Sequence, residues 1–144
     1  MTLIVNLLLK EEGFSPHFYF DTLGFATIGV GRMIDRKKGG GITREEAMYL
    51  LNNDIDRIYA AFDVAIPWYD TLNGVRQAVL ASMAFQMGVP GLLRFKNTLR
   101  AMEEGRYADA AAHMRQSRWY SQTPQRAERA ARAMESGLEA DLEL

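Results

Sequence analysis

Two carboxylates and one hydroxyl near the N-terminus have the chemical types that a hydrolytic site needs. Asp21 follows Glu12 by nine residues, and Thr27 follows Asp21 by six. Asp21 opens a predicted turn, where backbone N–H groups and solvent stabilise its charged form, and the Thr27 hydroxyl can hold a water. A protonated acid, a charged carboxylate and a positioned water are the groups that glycoside hydrolysis requires.

Glu12 is the candidate for the protonated acid. It falls in the last turn of a helix predicted for residues 2–12, where the negative end of the helix dipole disfavours ionisation. Apolar neighbours are expected to disfavour it further, and the candidates are Phe14, Phe18 and Phe25. We therefore predict that Glu12 is a general acid.

A β-hairpin is predicted to position Asp21 and Thr27. Residues 17–20 and 25–30 are rich in aromatic and β-branched types, as strands are. A left-handed Gly24 converts the turn between them into a three-residue hairpin loop with a bulge. Tyr19 then pairs with Thr27, which places Asp21 and Thr27 on one face of the hairpin.

The remainder of the chain is predicted to be a loop followed by helices. Residues 33–41 are polar and glycine-rich, as a flexible connector is, and Thr43 and Glu46 form a capping box that opens a helix to about residue 62. Asn73 caps a largely apolar helix that ends near Gly88. Further helices are predicted around 96–104, around 107–114, and from the Thr123-Pro124 cap to Gly137. The predicted fold class is α+β, mostly α.

Composition excludes several classes of protein. The chain has 144 residues, 48% of them apolar, which suits one globular domain and excludes a disordered chain. There is no cysteine, and the two histidines, His17 and His113, are far apart, so neither a thiol nucleophile nor a metal site is predicted. The N-terminus lacks a basic leader and a cleavage site, and no window reaches the length of a membrane span.

Charge is unevenly distributed along the chain. The net charge is −1, which disfavours a nucleic-acid binder. Residues 94–132 nevertheless carry nine basic and four acidic residues, and residues 133–144 carry four acids and no base. Local charge, rather than the sum, steers a charged partner.

Several short motifs are found along nearly the whole chain. Near the N-terminus they are Glu12-Gly-Phe, Phe20-Asp-Thr-Leu-Gly-Phe25 and Thr27-Ile-Gly-Val-Gly31. Further along they are Met83-Ala-Phe-Gln-Met-Gly88, Phe95-Lys-Asn-Thr-Leu-Arg100 and Ser117-Arg-Trp-Tyr-Ser-Gln-Thr-Pro-Gln-Arg126. These motifs, and the spacing of Glu12, Asp21 and Thr27, resemble those of the phage-type lysozymes, glycoside hydrolase family 24, and the T-even phage branch in particular.

The resemblance implies a role for each matched position. Glu12 is expected to donate a proton to the glycosidic oxygen, Asp21 to be the second catalytic carboxylate, and Thr27 to help place the attacking water. Arg126 is expected to pair with Glu12. The positions that line the family's saccharide cleft are Met33, Phe85, Thr98 and His113. Arg32 stands where a close relative has an ion-paired histidine, and we predict that Arg32 pairs with Asp54.

The implied protein is an inverting muramidase of lysozyme-like fold. A small β-hairpin lobe (13–42) and a helical lobe (1–12 plus 62–144) are expected, joined by a helix over 43–61. The resemblance further implies no cofactor or metal, a monomer, and no stable membrane insertion. We expect the protein in the host bacterial cytoplasm, reaching periplasmic peptidoglycan after a separate holin releases it, and lysing the host.

Three alternatives remain open at this stage. A lytic transglycosylase cleaves the same bond but needs no water-placing carboxylate, so Asp21 and Thr27 argue against it. A non-catalytic wall-binding module has no use for the intact set of catalytic residues. A helical nucleic-acid binder is suggested only by the charge of residues 94–132.

Overall fold

The computed structural model describes residues 2–144, and the chain divides into two compact units that meet at Leu50 and Leu51. The first unit contains the β-sheet and the second is helical, so the chain is α+β and mostly α, as predicted. The assignment of residues 1–12 to a helical lobe, and the lobe boundaries in general, stay predictions.

The first unit begins with a helix followed by a small antiparallel sheet of strand order β1-β2-β3. The elements are α1 (Leu3–Glu12), β1 (Ser15–Phe20), β2 (Ala26–Gly29) and β3 (Arg32–Met33), followed by a 3-10 turn, Arg36–Lys38. The sequence predicted α1, β1 and β2 but assigned residues 33–41 to a loop. A strand as short as β3 is too brief to show periodicity, and pairing with β2 decides it.

The hairpin register is the predicted one. Tyr19 pairs with Thr27, and Gly24 has the left-handed φ of 84° that a bulged three-residue loop requires. The Asp21 N–H donates to the Phe25 carbonyl, and the Gly24 N–H donates to the Asp21 carbonyl, each at 2.9 Å. Local turn chemistry therefore sets which residues share a face of the sheet.

The glycine run after β3 is a compact turn and not the flexible connector expected. Gly41 N–H donates to the Met33 carbonyl at 3.0 Å. A Cβ on Gly40 would lie only 2.6 Å from that carbonyl oxygen, so a larger residue does not fit without a shift of the backbone. Because Gly40 has no side chain, its backbone can lie this close to β3.

Helix α2 (Arg44–Ala65) begins at the predicted capping box and runs three residues beyond the predicted end. The Glu46 N–H donates to Thr43 Oγ1 at 3.1 Å, and the Thr43 N–H donates to Glu46 Oε2 at 2.8 Å. These two reciprocal bonds satisfy N–H groups that the first helical turn leaves unpaired.

The helices of the second unit surround one hydrophobic core. They are α3 (Gly74–Met87), α4 (Val89–Leu92), α5 (Lys96–Glu103), α6 (Tyr107–Arg115), α7 (Arg118–Gln122) and α8 (Pro124–Ser136). Short 3-10 turns lie at Tyr69–Thr71 and Glu139–Leu142. The core is built from Leu, Met, Ala and aromatic side chains, with Leu80, Leu92, Met114 and Met134 completely buried.

Two polar side chains at the start of α3 hold the end of α8. Asn73 caps α3 as predicted, through a bond from the Arg76 N–H at 3.0 Å, and its Nδ2 donates to the Gly137 carbonyl. Arg76 donates to the carbonyls of Met134 and Glu135, and its guanidinium lies 3.5 Å from the centre of the Tyr107 ring. These bonds satisfy carbonyls that the last turn of a helix leaves unpaired.

The side-chain cap predicted at the start of α8 is not formed. The sequence predicts Thr123 as a side-chain cap, but Thr123 Oγ1 instead donates to the Trp119 carbonyl at 3.2 Å. Pro124 lacks an N–H and occupies the first helical position, so α8 begins without a side-chain cap.

Arg32 and Asp54, predicted to pair, each form an ion pair within their own unit. Arg32 forms a two-pronged ion pair with Glu46, with nitrogen–oxygen distances of 2.8 and 2.7 Å, and Asp54 pairs with Arg57 one helical turn away. The capping box fixes Glu46 beside Thr43, and the planar guanidinium matches both carboxylate oxygens. The Arg32 bonds, together with the Thr43 N–H, lower the pKa of Glu46 to about 2.

We expect this ion pair to make stability depend on acidic pH. Because the folded-state pKa of Glu46 lies below its ordinary value of 4.5, its contribution is complete above that value and is lost as pH falls towards 2. Glu46→Gln should therefore lower the free energy of unfolding at pH 7, with the difference from the parent shrinking between about pH 5 and 2. Urea denaturation across this range measures it.

Glu45→Gln is the matched control, because Glu45 neighbours Glu46 in the same helical turn and is exposed. An equal, pH-independent effect of the two substitutions would contradict a specific role for the Arg32–Glu46 pair.

Candidate active site

Asp21 has one carboxylate oxygen committed to the hairpin turn and one oxygen left over. Its Oδ1 accepts hydrogen bonds from the N–H groups of Leu23 at 2.9 Å and Phe25 at 2.8 Å. Its Oδ2 accepts no hydrogen bond from the residues that the structure describes. Asp21 therefore has one oxygen bound by the turn and a second oxygen that is free to accept a hydrogen bond.

Thr27 lies on the same face of the sheet as Asp21. It is directly opposite Tyr19 on β1 and Met33 on β3, and successive residues of a strand alternate between faces. The Thr27 hydroxyl donates to the Phe25 carbonyl at 3.0 Å, so its lone pairs are left to accept from a water. The sheet thus brings three predicted residues together: Asp21, Thr27 and Met33.

Glu12 lies against the turn that joins β2 to β3. A Cβ placed on Gly31 would lie 2.8 Å from Glu12 Oε2 and 2.9 Å from its Cδ. The Glu12 carboxyl therefore occupies space that a side chain at position 31 would fill. Gly31 stands just beyond one end of β2 and Asp21 beyond the other, so Thr27 lies between the two acids along the strand.

The apolar setting predicted for Glu12 is not found. Glu12 is exposed, and Phe14 and Phe18 are exposed by 71% and 60%. Phe18 also lies on the face of the hairpin opposite Thr27, because it is adjacent to Tyr19 in the strand. These rings leave the carboxyl in solvent.

Two predicted saccharide contacts share a cavity in the second unit. Thr98 on α5 and His113 on α6 both line a cavity of about 580 Å³. Thr98 is only 2% exposed and His113 is half-buried, so His113 offers more of its surface to the cavity.

Phe85 lies elsewhere in the second unit. Its ring, on α3, is 51% exposed and lines a separate cavity of about 300 Å³ beside Asp54, Arg57 and Ile58. An exposed aromatic ring next to a paired acid and base is a suitable surface for a sugar. Its role as a saccharide contact stays a prediction.

Arg126, predicted to pair with Glu12, is hydrogen-bonded within the second unit. Its Nη2 donates to the Ser82 hydroxyl at 3.0 Å and to the Ser82 carbonyl at 3.2 Å. These contacts fix the guanidinium against α3. The pairing with Glu12 stays a prediction.

Residues 2–144 contain no group of three or more acidic or histidine side chains arranged to hold a metal ion. Within the same residues, no helix has the length and apolar character needed to cross a membrane.

Comparison with known proteins decides the family. The model of the family described as Phage lysozyme matches residues 9–135. The chain belongs to the phage lysozyme family. It is accordingly a glycosidase.

Individual relatives of this phage lysozyme agree with that assignment. It is 30% identical to "Probable T4-type lysozyme 1" of Dictyostelium discoideum, over 93% of this chain and 94% of the relative. It is 32% identical to "Pre-baseplate central spike protein Gp5" of Enterobacteria phage T4, over 88% of this chain and 26% of that protein. It is 33% identical to "Peptidoglycan hydrolase gp36" of Pseudomonas phage phiKMV, over 84% and 14%.

Sequence reasoning about this lysozyme missed the part played by Gly31. The position appeared only as the end of a motif, and a glycine needed for close approach is indistinguishable in sequence from one needed for a turn. Tyr19 was used only to set the register, although its side chain shares the face of Asp21 and Thr27.

We expect Gly31→Ala to impair hydrolysis more than fold stability explains. Its added Cβ would displace the carboxyl of Glu12, the predicted general acid, and misplacing a catalytic group by about 1 Å costs on the order of 10²-fold in rate. Clearing of bacterial wall suspensions and thermal unfolding of the same preparations would measure the two effects.

Gly29→Ala is the control, because Gly29 has the same φ of 68° with no atom within 4 Å of an added Cβ. It should incur a similar left-handed backbone cost, roughly 1–2 kcal/mol, without moving Glu12. Equal losses of activity in the two variants would refute a positioning role for Gly31.

Proposed function

We propose that this lysozyme hydrolyses the β-1,4 bond between N-acetylmuramic acid and N-acetylglucosamine in peptidoglycan, with inversion. Glu12 acts as general acid, while Asp21 and Thr27 place and activate the attacking water. Membership of the phage lysozyme family supports the substrate class, as does the relative named a peptidoglycan hydrolase.

The arrangement along β2 is the observation that carries the proposal. The Glu12 carboxyl lies at Gly31, the Asp21 carboxylate lies at the hairpin turn, and the Thr27 hydroxyl lies between them. An inverting glycosidase needs its two carboxyl groups far enough apart to admit a water beside the sugar. Acids at opposite ends of one short strand, with a hydroxyl between, suit that requirement.

Each side chain has a defined proton to handle. Glu12 donates its proton to the glycosidic oxygen as the bond from that oxygen to the anomeric carbon breaks. A water attacks the anomeric carbon from the opposite face and transfers a proton to Asp21 Oδ2. Thr27 accepts a hydrogen bond from this water while its own hydrogen remains on the Phe25 carbonyl. The product is a free reducing end of inverted configuration.

The remaining parts of the proposal concern binding and biology. Met33, Phe85, Thr98 and His113 contact the saccharide, and Arg126 supports Glu12. The enzyme acts as a monomer, is held in the host bacterial cytoplasm, and reaches the wall through a separate holin to lyse the cell. The likeness to phage lysozymes supports these statements.

Glu12→Gln should abolish the clearing of wall suspensions. Glutamine keeps the size and polarity of the side chain but has no proton to give, and general acid catalysis contributes about 10²–10⁴-fold in rate. Glu11→Gln, at an exposed neighbouring acid, is the control for charge alone. Activity of Glu12→Gln within tenfold of the parent, at unchanged thermal stability, would rule out the assignment.

The products separate hydrolysis from its nearest rival. A lytic transglycosylase leaves a 1,6-anhydro end, which is lighter by one water than the reducing end left by hydrolysis. Because Asp21 and Thr27 are placed for water, we expect mass spectrometry of digested muropeptides to show reducing ends. Anhydro ends as the main product would overturn the proposed role of these two residues.

A further inference from the structure

Asn73 is the only asparagine of the chain that is followed by a glycine. Asn73 and Gly74 lie at the start of α3, and both are exposed to solvent. The side-chain amide of an asparagine can be attacked by the backbone nitrogen of the next residue, and a glycine presents that nitrogen with no side chain in the way. The Gly74 N–H is also among those that the first turn of a helix leaves unpaired. Asn73 therefore has the neighbour that spontaneous deamidation requires.

The other asparagines are poorly placed for this reaction. Asn52 and Asn53 lie within α2, where the N–H of the next residue donates to a carbonyl of the preceding turn. Asn6 and Asn97 are followed by a leucine and a threonine, whose side chains crowd the backbone nitrogen. Among the asparagines, the reaction is therefore expected at Asn73.

In the folded chain both polar atoms of the Asn73 amide are hydrogen-bonded. Its Oδ1 accepts from the Arg76 N–H at 3.0 Å, and its Nδ2 donates at 3.0 Å to the carbonyl of Gly137, 64 residues further along the chain. Asn73 has an extended ψ of 163°, which is far from the geometry of the nearly flat five-membered ring that the attack would close. Closing that ring requires a rotation that pulls the amide away from both of its partners.

The bond to Gly137 is part of a larger contact between the start of α3 and the end of α8, here called the α3–α8 junction. Arg76 contributes by donating to the carbonyls of Met134 and Glu135. Gly137 contributes by having no side chain, since a Cβ there would lie 2.8 Å from Asn73 Nδ2 and 2.9 Å from Arg76 Nη1. The Asn73 amide is thus released when this junction opens, as parts of a folded chain do locally without global unfolding.

We propose that Asn73 is a site of spontaneous deamidation and that opening of the α3–α8 junction controls its rate. Once the junction is open, the Gly74 nitrogen gives its proton to hydroxide and attacks Asn73 Cγ. The N–Cγ bond forms, the Cγ–Nδ2 bond breaks, and ammonia leaves after taking a proton from water, which yields a cyclic imide. Water then opens the imide at either of its carbonyls. The products are aspartate and isoaspartate, and in the latter the main chain runs through the side chain.

Both products lose the hydrogen bond to Gly137. Aspartate keeps an oxygen for the Arg76 N–H but has no hydrogen to donate to the Gly137 carbonyl. Isoaspartate has no such hydrogen either, and it adds a carbon to the main chain where Asn73 caps the helix. Modification therefore follows opening of the junction and leaves the junction one bond weaker. The inference is independent of the proposed function, because it involves none of the candidate catalytic residues.

Ageing of the full chain at mildly alkaline pH, followed by peptide mapping, tests the proposal. Trypsin releases residues 58–76, which contain Asn73, and residues 45–57, which contain Asn52 and Asn53 as internal controls. Mass spectrometry detects the exchange of the amide NH2 for OH, and fragmentation distinguishes aspartate from isoaspartate. The same chain unfolded in guanidinium chloride gives the rate without the junction. We expect Asn73 to react at least about tenfold more slowly in the folded chain, because opening the junction costs free energy.

Gly137→Ala should speed modification of Asn73, because its Cβ would displace the Asn73 amide. Gly105→Ala is the matched control: Gly105 has a φ of 75° against 70° at Gly137, and no atom lies within 4 Å of an added Cβ. The two variants incur a similar left-handed backbone cost, but only Gly137→Ala affects the junction. We expect its rate to exceed that of Gly105→Ala by about tenfold, a factor that the destabilisation from one substitution commonly produces.

Thermal unfolding shows whether both variants fold. If Gly137→Ala does not, the parent is aged at denaturant concentrations below its unfolding transition, where the rate at Asn73 should rise with denaturant.

Four results would overturn the inference. The first is a rate at Asn73 in the unfolded chain no higher than at Asn52 and Asn53. The second is an equal rate in the folded and unfolded chains, which would mean that the junction does not protect the amide. The third is an equal rate in the two glycine variants, which would trace the effect to backbone strain alone. The fourth is a rate in the parent that stays constant as denaturant is added.

Discussion

The Asp21 carboxylate holds the hairpin turn closed, and the placement of the candidate catalytic groups follows from that turn. Two backbone N–H groups converge on one carboxylate oxygen, and this geometry, with a left-handed Gly24, selects the bulged loop. The loop length sets Thr27 opposite Tyr19. A shift of one residue would turn Thr27 to the other face of the sheet, because strand side chains alternate.

Asp21 thus has a structural role through one carboxylate oxygen and a proposed chemical role through the other. The bonds from the turn engage Oδ1 and leave Oδ2 free. Thr27 is similar, because its hydroxyl donates to the backbone carbonyl of Phe25 while its oxygen lone pairs remain free to accept a hydrogen bond from a water. Gly31 completes the set by leaving room for the Glu12 carboxyl. Rigid backbone turns, rather than flexible side chains, position the groups, which suits a reaction that depends on orientation.

Charged residues of the second unit hold its helices together. Arg76 donates hydrogen bonds to the last carbonyls of α8, and its guanidinium stacks on the ring of Tyr107. This charged side chain therefore stabilises the fold. The net charge of −1 conceals the basic excess of residues 94–132, because the acidic C-terminal segment offsets it in the sum. Glu143 of that segment pairs with Arg132 on α8.

Features that rest on short-range bonds could be predicted from the sequence alone. The α2 capping box, the Asn73 cap and the Asp21 turn each join groups a few residues apart, so their residue types suffice to predict them. Tertiary structure decided the partners of long side chains and the space around small ones. Arg32 pairs with Glu46, Arg126 binds Ser82, and Gly31 makes room for Glu12. These outcomes depend on where separate elements pack, because a guanidinium can reach several acceptors and a glycine has no side chain to reveal its neighbours.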